Sequence, residues 1–233
     1  MKVHRFFIPG SDENFNHLLM VENKDAYLFD PLDVELLQSE LKSLDGNLKG
    51  VFITHNHHDH VGGISKIKSL YPDIPIYIPG QNIFGRESFS MGRDHMEVVA
   101  TPGHTMDHLS YFLYERERLK SVICGDTIFY CGVGNCKNGG DPKVLWHTVQ
   151  SIFTPLSDDV VLFPSHDYVV PNLNFAESHG LLNDVGRSLL FSLQENDSRQ
   201  YISTIGKEKS VNPFFRCQNE EEFLKLRQLR DRW

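Results

Sequence analysis

Short runs of alternating or continuous apolar residues, each closed by a polar or glycine-bearing cluster, fill the first two thirds of the chain. They predict β-strands at 3–8, 17–22, 26–29, 50–54, 74–78, 97–100, 109–114, 121–124 and 160–164. Between them, apolar spacings of three and four predict helices over 34–44, 64–70 and 142–153, with Asp33 and Asp141 placed to cap the first and last of these. Beyond residue 170 the period is helical: 175–193 and 220–229 are predicted helices, separated by the polar stretch 195–212. There is no internal repeat and no low-complexity segment. Strands interleaved with helices, then a helical tail, predict an α/β body of stacked sheets with outer helices at residues 1–170 and a small α-helical domain at 171–233.

Composition narrows the classes. With 233 residues, 40% apolar and 23% charged, the chain can bury a core without disulfides. Its net charge of −8 has the wrong sign for gripping phosphate backbones, which excludes nucleic acid as a partner. No window approaches the ~18 consecutive apolar residues of a membrane span, and residues 1–10 lack the apolar stretch and small-residue cleavage site of a signal peptide. Cys124, Cys131, Cys136 and Cys217 are too few and too unevenly spaced for a disulfide framework. A cytoplasmic location is expected.

The 12 histidines are unevenly placed. From 54 to 60 the chain reads Thr54-His55-Asn56-His57-His58-Asp59-His60, at the end of an apolar strand and before Gly62-Gly63. Alternation points His55 and His57 to one side, and the following turn brings Asp59 and His60 towards a second ion. Three more donors stand where other predicted strands end: His104 in Thr101-Pro102-Gly103-His104, Asp126 in Cys124-Gly125-Asp126-Thr127, and His166 in Pro164-Ser165-His166-Asp167. His55, His57 and His104 then hold one ion, Asp59, His60 and His166 the other, and Asp126 bridges them. His and carboxylate ligands without thiolates suit Zn(II), Fe(II) or Mn(II).

These residues resemble the metallo-β-lactamase superfamily, whose T-H-x-H-x-D-H signature is matched by Thr54 to His60, with Asp30, His104, Asp126 and His166 in order. Within it the chain is most similar to the glyoxalase II (hydroxyacylglutathione hydrolase) family, through Gly125-Asp126-Thr127-Ile128-Phe129, His166-Asp167-Tyr168, Asn172-Leu173-Asn174-Phe175-Ala176 and Asn212-Pro213-Phe214. The resemblance implies an αββα sandwich with a C-terminal helical domain, two divalent ions with zinc first, and hydrolysis of an S-2-hydroxyacylglutathione such as S-D-lactoylglutathione by a metal-bridging hydroxide. Asp59 and Asp126 are the expected catalytic ligands, and Asp30 a buried structural acid. Tyr168, Arg227, Arg230 and Lys137 are the expected substrate contacts of a monomer acting on a small-molecule thioester. The loop Cys131–Gly140 departs from the family's pattern, as does Asp167, which replaces a Glu.

Other readings stay open at this stage: a persulfide dioxygenase, or a hydrolase of a lactone, phosphodiester or non-glutathione thioester. His58 is expected to face solvent. His4, His17, His95, His147 and His179 are expected at the surface or in local hydrogen bonds, His108 beside the metal ligands, and Cys131 and Cys136 as reduced thiols.

Overall fold

The computed structural model describes residues 1–233. Two mixed five-stranded sheets face each other. The first has strands β1 (Lys2–Phe7), β2 (Phe15–Met20), β3 (Asp25–Phe29), β4 (Asn47–Phe52) and β5 (Ile76–Tyr77) in that spatial order. The second has the order β12 (Val161–Pro164), β9 (Arg118–Gly125), β8 (Leu109–Glu115), β7 (Asp94–Ala100) and β6 (Ser88–Met91). A short ribbon of β10 (Ile128–Phe129) and β11 (Gly132–Val133) follows β9. Pairing is parallel for β3 with β4, β4 with β5 and β9 with β12, and antiparallel elsewhere.

Three apolar clusters make the layers. Phe29 and Phe52 of the first sheet meet Tyr111, Ile123 and Phe163 of the second. On the outer face of the first sheet, Val34, Leu37 and Leu41 of α1 (Val34–Ser43) and Ile67 of α3 (Ile64–Leu70) cover Leu28 and Val51, with the single-turn α2 (His58–Val61) between the two helices in the chain. The outer face of the second sheet is covered by Leu145 of α4 (Pro142–Thr148), by the π-helical continuation Val149–Phe153, and by the C-terminal helices. The architecture is the expected αββα sandwich. Both predicted caps form, Asp33 accepting from Leu36 N and Asp141 from Lys143 N and Val144 N.

The C-terminal helices are α5 (Val169–Ser178), α6 (Asp184–Glu195), α7 (Ile205–Val211) and α8 (Glu220–Arg232). The single helix expected over 175–193 is therefore two. The chain turns after His179, and Asn183 restarts it by accepting from Gly186 N. The polar stretch 195–212 also holds a helix, α7, capped by Thr204 accepting from Lys207 N. Its few apolar positions, Ile205 and Val211, are buried, so packing outweighs a weak periodicity. One apolar cluster joins Val122 and Leu162 of the sheet to Leu173, Leu190 and Phe223 of these helices and to Phe214 in the turn before α8, on both sides of residue 170. No helix is long and apolar enough to cross a membrane.

Candidate metal centre

The seven expected donors lie together, beyond the C-terminal ends of β4, β7, β9 and β12. Strand ends converge there because β4 leaves the first sheet where β8 enters the second, tied by Leu109 N donating to Thr54 O, while Ser165 N donates to Gly125 O. Gly125 has φ of +53°, and a Cβ on it would lie 2.6 Å from His108 Nε2, so only glycine permits the bend that turns Asp126 inward.

His55 Nε2 lies 3.0 Å from His57 Nδ1, which lies 3.1 Å from His104 Nε2. Each of these imidazoles commits its other nitrogen outward. His55 Nδ1 meets Thr54 Oγ1 at 3.0 Å, and that hydroxyl itself donates to Asp30 Oδ2. His57 Nε2 donates to Asn138 O at 3.1 Å, and His104 Nδ1 to Asn135 O at 2.6 Å. Carbonyl oxygens only accept, which sets the tautomers and leaves the inward nitrogens as bare lone pairs facing one another. That arrangement is repulsive alone and calls for a cation. Tetrahedral ligands at about 2.0–2.1 Å from zinc stand roughly 3.3 Å apart, close to the spacing here.

A second group adjoins it. Asp59 Oδ2 is 3.3 Å from both His60 Nε2 and His166 Nε2. Asp126 reaches into both groups, with Oδ1 3.6 Å from His60 Nε2 and Oδ2 3.3 Å from His166 Nε2 and 3.5 Å from His104 Nε2. His60 Nδ1 donates to Asp30 Oδ2 at 2.9 Å and His166 Nδ1 to Asp12 O at 2.6 Å, so their Nε2 atoms also turn inward. His60 Nε2 and Asp126 Oδ1 are buried without a hydrogen-bond partner. The sets His55-His57-His104, His55-His60-Asp126 and Asp59-His60-His166 each bring their ligand atoms within 4.8 Å of one another. The donors fit divalent metal ions.

Electrostatics agree. Burial disfavours charge on His60 and His166, yet the surrounding carboxylates together outweigh it, Asp126, Asp30 and Asp59 holding His60 well above its usual pKa, and Asp126 and Asp59 raising His166 to about 10. Burial likewise opposes the charged form of Asp126, but His166 and His60 hold it far below the usual carboxylate range. Burial, with His60 nearby, pushes His55 well down, so it stays neutral. These carboxylates thus draw positive charge into a buried site.

Several supporting residues carry no sequence signal of their own. Asn14 Nδ2 donates to Asp59 Oδ2 at 3.0 Å, and the acceptors Asp12, Asn135 and Asn138 act through main-chain oxygens, which any residue type supplies. Asp30, expected to be structural, is 2% exposed and accepts from Thr54 N, Thr54 Oγ1, His60 Nδ1 and Ser165 Oγ. His108 is fully buried, its Nε2 accepting from Asp126 N and its Nδ1 facing the Thr101 and Thr127 hydroxyls. It orients Asp126 through the backbone. His58 is exposed, as expected. His17 corrects the sequence expectation: it is fully buried, and neither ring nitrogen has a partner.

The four expected substrate contacts sit differently from one another. Tyr168 stacks on His166 with ring centroids 4.8 Å apart, and its hydroxyl donates to Asp12 Oδ2. Arg230 lies over Phe175 and Trp233 and reaches Asn172 Oδ1. Lys137 is exposed and donates to Asp231 O. Arg227 is 6% exposed, and its guanidinium faces the carbonyls of Val133 and Gly134 and the carboxylate of Asp231.

Family models agree with this architecture. That of the metallo-beta-lactamase superfamily matches residues 16–84, and that of the hydroxyacylglutathione hydrolase C-terminus matches residues 167–233. A hydroxyacylglutathione hydrolase from Nitrosococcus oceani is 30% identical over 265 residues, covering 100% of both chains. Among solved structures, ETHE1 from Myxococcus xanthus superposes with a TM-score of 0.75 at 21% identity, over 98% of this chain and 90% of its own. A protein solved in a di-iron-bound form has a TM-score of 0.65 at 20% identity, over 91% of this chain and 99% of its own. With a full-length relative at that identity and a C-terminal region matching the same family, the chain belongs to the hydroxyacylglutathione hydrolases of the metallo-beta-lactamase superfamily.

Proposed function

We propose that the protein hydrolyses an S-2-hydroxyacylglutathione, such as S-D-lactoylglutathione, to glutathione and a 2-hydroxy acid, at a dinuclear centre formed by His55, His57, His104, Asp59, His60, His166 and the shared Asp126. The observation that carries this reading is the outward commitment of all five imidazoles, which turns the other nitrogen of each into two adjoining groups that share the Asp126 carboxylate.

Two divalent ions, when bound, supply the positive charge that acidifies a water and polarises a thioester carbonyl. Zinc is the first choice on ligand type, with iron or manganese as alternatives. The chain's own groups do the rest. Asn14 fixes Asp59, and His108 and the Gly125 bend fix Asp126, so the carboxylates meet the reacting centre already oriented. A thiol pKa near ~8.5 lets the leaving group depart as thiolate, so no side chain need protonate it. Arg230, set over the edge-to-face pair of Phe175 and Trp233, suits a carboxylate of the glutathione moiety, with Tyr168 and Lys137 as further contacts. Four free cysteines support a reducing, cytoplasmic setting, and we read the protein as a monomer.

The test is hydrolysis of S-D-lactoylglutathione beside a thioester lacking the glutamyl and glycyl groups, with metal content measured on the same sample. About two ions per chain and a strong preference for the glutathione thioester are expected. A fully metallated protein without thioesterase activity would sink the substrate assignment and leave the centre standing.

A further inference from the structure

Arg227 stands apart from the other expected substrate contacts because its charge faces inward. It is 6% exposed, and its Nη1 donates to Val133 O at 2.9 Å and approaches Gly134 O at 3.3 Å, while Nη2 lies 3.0 Å from Asp231 Oδ1. A buried guanidinium whose Nη groups already face two main-chain oxygens and the Asp231 carboxylate is poorly placed to take a substrate carboxylate. The segment it holds leads straight to the metal ligands. A Cβ on Gly134 would lie 2.1 Å from Asp126 O and 2.9 Å from His104 Nδ1, so this backbone is pressed against both. The next residue, Asn135, supplies the carbonyl that takes the His104 Nδ1 proton at 2.6 Å, and Asn138 supplies the one that takes the His57 proton at 3.1 Å. Lys137, between them, donates to Asp231 O at 3.0 Å, so the segment is tied to the end of α8 a second time.

We propose that Arg227 is a positioning residue for the His55-His57-His104 set: it clamps the 133–138 segment to α8 so that the Asn135 and Asn138 carbonyls hold His104 and His57 in the ligating tautomer. His55, through Thr54 Oγ1, shares the Asp30 anchor with the other set, which is held by Asp30 and by Asp12 O and makes no use of this clamp. The inference rests on the dinuclear reading above. It differs from a substrate contact, which would act on KM, and from a general stabilising role, which would loosen both sets alike.

Zn(II), and separately Co(II) followed by its absorption, would be titrated into the metal-free full-length chain and into Arg227→Met and Arg230→Ala. The tautomers of His57 and His104 would be read by nitrogen-15 NMR on the metal-free proteins. Orienting partners of metal-bound histidines typically contribute 10–100-fold to affinity, so Arg227→Met is expected to weaken one of the two ions about 10-fold or more, to leave the other within about twofold, and to mix the His104 tautomers. Arg230→Ala is expected to bind both ions as the parent does. Unchanged affinities and an intact His104 tautomer in Arg227→Met would overturn the proposal, and a raised KM for S-D-lactoylglutathione beside them would make Arg227 a substrate contact instead. Equal weakening at both sites would also overturn it. Should Arg227→Met not fold, Arg227→Gln, which keeps one donor group, is judged by the same criteria. A parent chain that binds no ion would refute the metal centre itself, before any variant is compared.

Discussion

The two halves of the metal centre are built from the same chemistry and held by different means. His60 leans on Asp30, a carboxylate packed between the sheets with four donors directed at it. His57 and His104 lean on main-chain carbonyls of a glycine-rich segment, which in turn leans on the last helix. The first anchor is part of the core and cannot move without disturbing both sheets. The second is a chain of contacts reaching from residue 104 to residue 231, and each link can be loosened with the fold intact. The lesson is that equivalent ligands need not be equally robust: the stiffness of a site is that of whatever lies behind it.

Breaking the stiff half should have the largest effect. Asp30→Ala leaves Thr54 N, Thr54 Oγ1, His60 Nδ1 and Ser165 Oγ without their acceptor, and losing a buried, multiply bonded carboxylate costs on the order of 3–5 kcal/mol. Chemical denaturation should show that loss, together with failure to retain metal on dialysis. A variant of near-parental stability and full metal content would contradict the ranking of the two halves.

In the softer half, Gly134→Ala places a methyl 2.1 Å from Asp126 O, so the segment must retreat. Weakening of one ion by about 10-fold is expected, with denaturation stability reduced by only roughly 1–3 kcal/mol, the usual range for overpacking. Loss of both ions in proportion would mean that the two sets are coupled more tightly than their anchors suggest.

Two buried groups away from the ligating atoms sharpen the contrast through pH. Burial, then Arg5 and His60, push the His17 imidazole down to about 3 from 6.5. Unfolding therefore takes up a proton at any pH between those values, and stability is lost as pH falls below about 6.5, by at most ~1.4 kcal/mol per unit. Glu208 behaves oppositely. Burial raises it to about 7 from 4.5, against the opposing hydrogen bonds from Ser203, Asn212 and Cys131 N. Stability from this group is full below 4.5 and lost as pH rises towards 7. Between pH 5 and 6.5 the two slopes oppose each other in the parent. His17→Leu removes the first of these slopes, so stability measured by urea unfolding is expected to fall less on acidification from 6.5 to 5 than it does in the parent. A fall as steep as the parent's would show that His17 is not the buried neutral imidazole described.

The smallest effect is expected at the rim. Arg230→Ala should raise KM for the glutathione thioester by about 10-fold and leave kcat within a factor of two, the signature of uniform binding. A fall in kcat at unchanged KM would remove Arg230 from the substrate contacts.

Much of this was legible from the chain. The helix over 64–70 was placed to the residue, and the strands mostly within two or three residues, because half-buried strands and capped helices carry their own period. The helix over 205–211 was not legible, since it is short, mostly polar and packed only by its neighbours. The strand Ser88–Met91 was missed for the same reason: only Met91 is buried, and its identity as a strand comes from pairing with β7. The burial of His17 is not legible, because an isolated histidine shows nothing along the chain of what covers it. In the structure that cover is Phe15 and Phe163.

By itself the sequence determined the donor inventory, the strand ends that carry it and the capping that starts the helices, because these depend on residue type and local spacing. Tertiary structure alone decided which nitrogen of His57, His104 and His166 turns inward, since that depends on carbonyls at Asn138, Asn135 and Asp12, and a carbonyl is the same in every residue. It also decided that Arg227 faces the protein and Arg230 its aromatic rim. Two arginines three positions apart on one helix read alike along the chain, and only the surface packed against each turn of the helix separates them.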